Sequence, residues 1–308
     1  MSYKSLPATF AALLLAQCLG LVHIGSDNIR TVQAAFAADS AEDANAIRLS
    51  TTRIKQGEVF QLAVDADALG LTNDSDVPPP VEFLGQSHKL FVVPDHASGK
   101  KVFQALIGVP VVEKAGTRTV TVGTHSRQIS VIPAGYPVQR LTLPPSKNNF
   151  NMAFGEEEAM NKAKGTVSEE RLWQGNFSHP SKARQSSGFG IRRIVNGKLL
   201  DDYFHSGIDY AGFTGSPITA CAPGKVILAK TGVFKLHGNT VAIDHGQGVI
   251  SIYIHMQKIE VKLGDRVSQG QKIGTIGQTG RANGPHLHFS IYCNKTACNP
   301  NQWYKAAF

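Results

Sequence analysis

The sequence predicts a mainly β protein: a small β-sandwich-like N-terminal domain, a short helical linker and a C-terminal antiparallel-β domain. Three observations predict it. Short runs alternating apolar and polar residues recur in both halves, the two-residue period of strands with one face on a core. The 308 residues include 30 Gly and 15 Pro without a Gly-X-Y repeat, which excludes collagen and favours many tight turns. That length suits two units of roughly 100–200 residues, large enough to bury cores without disulfide staples. Hydrophobic residues at 42% and charged residues at 18% rule out wholesale disorder.

Residues 1–37 read as an export signal. Lys4 gives a positive start, and Ala8 to Ile24 is apolar apart from Gln17 and His23. Ala35-Phe36-Ala37 offers an A-x-A-type site, so cleavage is expected after Ala37. An uncleaved anchor is disfavoured, because about 17 interrupted apolar residues fall short of the roughly 20 needed to span a bilayer. Cys18 follows Gln17 where a lipid-acylation signal would carry a small residue, which disfavours lipidation.

Residues 38–135 hold the first set of strand-like runs. They include Val59 to Val64, Lys101 to Leu106, Thr119 to Val122 and Gln128 to Val131, separated by turn-rich pieces at 72–76 and 78–80. The spacing predicts a sandwich-like unit with a spacer or docking role; His88, His96 and His125 are scattered and carry no chemistry. Residues 136–180 read as a linker, marked by Pro144-Pro145-Ser146-Lys147. Helix is expected over 156–164 and again over 169–173. From 181 to 308, strands are expected at 217–221, 224–230, 239–244, 248–255, 258–262, 272–276 and 286–292.

Once the leader is removed, Cys221, Cys293 and Cys298 remain. Cys293 and Cys298 bracket a short polar loop that a disulfide could close, and Cys221 is expected as a small buried hydrophobe. The absence of Cys-x-x-Cys argues against a thiolate zinc site. Lys and Arg exceed Asp and Glu, 31 against 23, a balance suited to an anionic polymer such as nucleic acid, an acidic membrane face or cell-wall material. Nucleic acid gains little support, since no basic-aromatic stripe accompanies the charge. The Gly-rich run 264–280 lacks the Gly-x-x-x-x-Gly-Lys pattern of a phosphate loop and fits tight β turns.

Chemistry concentrates in three elements. His205-Ser206-Gly207-Ile208-Asp209 places a His and a carboxylate four residues apart, on one side of either a helix or a strand. His286-Leu287-His288 alternates, so the two imidazoles share a strand face while Leu287 enters the core. In Ile250 to His255 the isoleucines are expected inward and Ser251, Tyr253 and His255 on the opposite face. Together they supply two or more imidazoles and a carboxylate. A His/Asp/His set satisfies zinc's catalytic pattern of three protein ligands with one open position, leaving histidines for proton transfer.

At these residues the chain resembles the lysostaphin/LytM-type zinc endopeptidases that cut peptide cross-links in bacterial cell walls. The matching stretches run from Phe189-Gly190-Ile191-Arg192 through His205 to Tyr210, Gly238-Asn239-Thr240-Val241, Ile243-Asp244-His245-Gly246, Tyr253-Ile254-His255 and Gly284-Pro285-His286-Leu287-His288. The resemblance implies that His205, Asp209 and His288 bind one Zn2+. It implies that His255 and His286 sit beside the metal-activated water as proton-transfer and oxyanion-stabilising groups. His245 is expected to be structural, Asn239 receives no chemistry, and Asn283 stands where many relatives carry Thr.

The expected function is therefore a zinc metallo-endopeptidase acting on peptidoglycan peptides in the periplasm of a Gram-negative bacterium, with D-alanine-containing cross-links favoured over glycine bridges. The alternative is a non-catalytic wall-binding regulator of other hydrolases. A third reading is a latent enzyme, inhibited intramolecularly by a segment of residues 38–180.

Overall fold

The computed structural model describes residues 46–71, 76–94, 101–142, 151–305 and 308. The expected leader, including Cys18, lies outside the described residues, as do His96 and Pro144 to Lys147. Among the described residues no helix is long and apolar enough to cross a membrane.

The N-terminal unit is the expected sandwich. One sheet has the order Ile47–Leu49, Val59–Asp65, Lys101–Gly108, Phe91–Pro94. The other runs Arg53–Lys55, His125–Ile132, Gly116–Val122, Val81–Phe83, Gln86–His88. Period-2 alternation sends Phe60, Leu62 and Val64 to the inner face, where they meet Val81, Phe83 and Val120. Phe60 and Phe83 pack edge-on across the sheets with ring centroids 5.3 Å apart.

The first sheet is also covered on its outer face. Val59, Leu106 and Val111 belong to the C-terminal core. The side-chain amide of Gln302 pairs with the backbone of Val59, donating to its carbonyl and accepting its N–H, both at 2.7 Å. Asn299 N–H donates to Gly57 O at 2.7 Å, and Cys293 Sγ lies 3.2 Å from Leu106 O. The two units are therefore packed against each other rather than strung on a tether.

The C-terminal unit is built on a ten-stranded antiparallel sheet. Its main path is Arg184–Ser187, Ile208–Ala211, His286–Cys293, Val249–Ile259, Asn239–Gly246, Gly224–Lys230, Arg266–Val267. Pro217–Thr219, Lys272–Ile276 and Thr296–Cys298 pair beside it. The strands 224–230 and 272–276 fall where the sequence places them. The expected separate strand at 258–262 is instead the end of the long 249–259 strand.

Residues 136–180 do more than link. Val138–Leu141 pairs in parallel with Arg192–Val195, which in turn pairs with Lys198–Phe204. The helix Glu156–Lys164 forms as expected, with three Glu in its first turn and Lys162 and Lys164 in its last, complementing the helix dipole. Helix does not form over 169–173. There Leu172 N–H donates to His245 O, and Trp173 is buried against Phe177 and Trp303. Burying the indole in the sheet's core outweighs a short run's helix propensity.

The disulfide considered for Cys293 and Cys298 is absent. All three described cysteines are free and buried. In the 286–293/296–298 hairpin, Cys293 is paired with Thr296 and Cys298 with Ile291, so the two thiols are not opposite each other.

Candidate metal centre

Three elements deliver the central cluster. His205 follows the strand 198–204 and is anchored through its backbone, its N–H donating to Ile191 O and its carbonyl accepting Gly190 N–H. Gly207 is required for the next step, because a Cβ there would lie 2.2 Å from Phe289 O. Asp209 then lies in the strand 208–211, in register with His288 of the strand 286–293. His205 Nε2 is 3.0 Å from both Asp209 Oδ1 and His288 Nδ1, and the last two atoms are 2.8 Å apart.

The other ring nitrogens of these histidines are also held. A carbonyl can only accept, so Gly188 O, 2.5 Å from His205 Nδ1, fixes the proton there and leaves a lone pair on Nε2. Ser290 Oγ, 2.8 Å from His288 Nε2, can accept that nitrogen's proton and leave Nδ1 bare. Burial pushes the His288 imidazole down to about 4, so it is neutral at neutral pH. Burial works against ionising Asp209, but its contacts with His205 and His288 outweigh that and hold the carboxyl well below the usual range. Two imidazole lone pairs and a carboxylate oxygen repel one another unless a cation or proton lies between them. A donor set of two nitrogens and one oxygen, without thiolate, fits Zn2+.

His255 reaches the site by a different route from the one alternation predicts. Ile252 and Ile254 pair with Ser290 and His288, so the isoleucines, not Ser251 and Tyr253, share the face of the cluster. Ser251 and Tyr253 point to the other side, where Ser251 Oγ is 2.7 Å from His245 Nε2 and Tyr253 OH accepts Cys221 N–H. His245 is thus structural, as expected. Between Tyr253 and Met256 the strand carries an extra residue relative to its partner, which advances only from Val241 to Asn239. His255 sits in this bulge with φ of 63°, a left-handed conformation that turns its ring to the cluster's side.

His255 Nδ1 donates to Thr279 O at 2.9 Å, and His286 Nδ1 to Gly284 O at 2.8 Å, leaving Nε2 of each ring as an acceptor. The two rings lie 4.7 Å apart. Burial first, then the neighbouring His286 and His288, lowers His255 to about 3. All five residues singled out in the sequence line one cleft of about 430 Å³.

Other residues of that cleft had no role in the sequence reading. Arg193, Tyr203 and Arg281 line it, with the Arg193 guanidinium over the Tyr203 ring. His237 also lines it and is held by Glu156. Asn283 is at the wall, whereas the Asn239 side chain is spent on Gly232 N–H and Gln257 O. Among the described residues, none before Met160 lines the cleft. His237 stands directly before Gly238-Asn239 and was legible as a neighbour of that motif. Glu156, one of three successive glutamates, carries no local signal.

A mainly β protein with a His/Asp/His donor set and two further imidazoles in one cleft has the layout of a metal-dependent hydrolase. Comparison with known proteins gives the family. Residues 203–300 match the model of Peptidase family M23. A solved structure from Pseudomonas aeruginosa assigned to peptidase M23 is 30% identical, covers 82% of this chain and 95% of that one, and superposes with a TM-score of 0.58. The chain belongs to peptidase family M23.

It is also similar to two curated proteins. Peptidoglycan DD-endopeptidase ShyC of Vibrio cholerae is 42% identical over 119 residues, 38% of this chain and 26% of that protein. DD-carboxypeptidase/endopeptidase Mpg of Neisseria meningitidis is 38% identical over 117 residues, again 38% of this chain and 26% of the relative. The chain spans about a quarter of the length of these relatives.

Proposed function

We propose that the protein is a zinc-dependent endopeptidase that hydrolyses peptide cross-links of peptidoglycan, acting outside the cytoplasm after export through its leader. The observation that carries this reading is the convergence of His205 Nε2, Asp209 Oδ1 and His288 Nδ1 beside two histidines with free Nε2 atoms. The names of the Vibrio and Neisseria relatives support D-alanine-containing cross-links as the substrate. The compartment proposed for this activity is the periplasm of a Gram-negative bacterium.

His205, Asp209 and His288 would hold Zn2+, which when bound would supply Lewis acidity towards a carbonyl and towards water. The protein supplies the rest. Thr279 O and Gly284 O fix the tautomers of His255 and His286, so that each presents a basic Nε2 to the cleft. One of them takes the proton of the attacking water and delivers one to the leaving amine. The other takes up a proton from solvent at Nε2 and donates it as a hydrogen bond to the developing oxyanion. Burial keeps the His255 Nε2 unprotonated at neutral pH, and Ile252 and Ile254 add apolar lining to the cleft.

Mass spectrometry of muropeptides released from purified sacculi tests the proposal. Cleavage between stem peptides by wild type, abolished in His288→Ala, is the expected result. Tight binding to sacculi without any released fragment by the zinc-loaded wild type overturns it in favour of a wall-binding regulator.

A further inference from the structure

The carboxylate of Glu156 is fully buried, at 0% exposure, yet among the described residues no Lys or Arg side chain forms an ion pair with it. It is satisfied instead by five N–H groups. It accepts from the backbone of Ala153 (2.7 Å), Lys235 (2.8 Å), Leu236 (3.0 Å) and His237 (2.9 Å), and from His237 Nδ1 (2.7 Å). Three of the donors are successive backbone amides, a concave anion-binding nest that the chain fills with its own side chain. Taking a carboxylate out of water is expensive, and docking a helix does not require one.

The clamped loop holds His255. His237 O accepts His255 N–H at 3.0 Å, and Leu236 O accepts Arg281 N–H at 3.0 Å. Gly238, with φ of 67°, packs so closely that a Cβ would lie 2.4 Å from Thr279 C. Asn239 N–H donates to Thr279 Oγ1, and Thr279 O accepts His255 Nδ1–H. Both hydrogen bonds that orient His255, from its backbone and from its ring, therefore end on segments tied to the Glu156 nest. A left-handed backbone is strained for a histidine and persists only where its surroundings over-determine it.

Resting on the role given above to His255, we propose that Glu156 is a positioning residue: its buried carboxylate clamps the 235–237 loop and so fixes the His255 imidazole in the cleft. Glu156 thereby ties a helix outside the Peptidase family M23 match to the cleft inside it.

The test uses the full chain, zinc-loaded and labelled with 15N-histidine, as wild type and Glu156→Gln. Gln keeps the shape but turns an NH2 group on the donors. We expect one zinc per chain in both, KM little changed, and kcat lower by about tenfold to a hundredfold, the range for supporting residues around a metal site. The hydrogen-bonded His255 Nδ1–H resonance should shift or broaden while that of His205, held by Gly188, stays. Unchanged kcat with an unchanged His255 resonance overturns the proposal. So does a loss of activity that only tracks lost zinc or lost folded protein. Should the Gln variant fail to fold, Glu156→Asp, which keeps the charge but shortens the reach, is read against the same outcomes. A wild type inactive on peptidoglycan would sink the proposed function, whereas the resonance comparison still decides the clamp.

Discussion

Asp209 and His288 are direct partners across an antiparallel strand pair, with Oδ1 2.8 Å from Nδ1. Seventy-nine residues apart in the chain, they meet because the strand 208–211 lies in this one register. A slip of one residue would oppose Asp209 to Leu287 and turn the carboxylate to the other face. The register is held by apolar partners on the opposite side, Ile208 against Phe289 and Tyr210 against Leu287, all buried.

Removing a ligand should empty the centre without unfolding the sheet. His288→Ala and Asp209→Asn are expected to bind no stoichiometric zinc by elemental analysis and to lose measurable turnover, while keeping the wild-type circular dichroism spectrum. Full zinc occupancy in either variant would falsify the assigned ligand set.

The two remaining histidines should separate chemistry from metal binding. His255→Ala and His286→Ala are expected to retain one zinc per chain and to lose roughly 10²–10⁴ in kcat, the range for general acid–base groups. A His255→Ala protein that purifies without metal contradicts the role given to that residue.

The segment before the catalytic sheet should prove part of its core. Trp173 is 2% exposed and packs on Phe177 and Trp303, so Trp173→Ala is expected to cost about 3–5 kcal/mol in urea denaturation. A truncation beginning at residue 181, which removes both Trp173 and Phe177, should melt well below the full chain. Equal stability of the two would show that these aromatics are dispensable.

Acid sensitivity should follow Glu156. Burial raises its carboxyl, but the hydrogen bonds from Ala153, His237 and Lys235 prevail and hold it at about 2, against 4.5 when unfolded. The unfolded chain therefore binds this proton first. The stabilisation is complete above about pH 4.5 and is lost as pH falls towards 2. Denaturation curves across this window should show a shallower acid limb in Glu156→Gln than in wild type. Parallel limbs would refute the assignment.

Thiol chemistry checks the absent disulfide. Burial pushes Cys221 and Cys293 up to about 12, and Cys298 is also raised well above its ordinary value. None of the three should react with a thiol reagent in the native protein, and all three should react after denaturation without reductant. A protected pair in the denatured protein would restore the Cys293–Cys298 bridge.

Much of the site was legible in the chain. Alternation put His286 and His288 on one strand face, and imidazoles and a carboxylate were visibly concentrated in three segments, whereas the choice of His205, Asp209 and His288 as the donor set came from the family resemblance. His255 does line the cleft, but by a different geometry from the one alternation gave. Strict alternation would have placed it with Ser251 and Tyr253, away from the cluster, and a bulge reverses it. Bulges depend on how a partner strand is spaced, which a local pattern does not contain.

The sequence by itself determined the β architecture and the concentration of imidazoles and a carboxylate in three segments, because these follow from a strand's two-residue period and from side-chain chemistry, and the family resemblance chose the ligands among them. Tertiary structure decided which face His255 joins, that Trp173 is core in an irregular segment rather than helix, and that Glu156 reaches across to the 235–237 loop. Each of these depends on contacts beyond the local segment, from 18 positions between His255 and His237 to 79 between Glu156 and Lys235, whose free energy overrides local preference only once the sheet has brought the partners together.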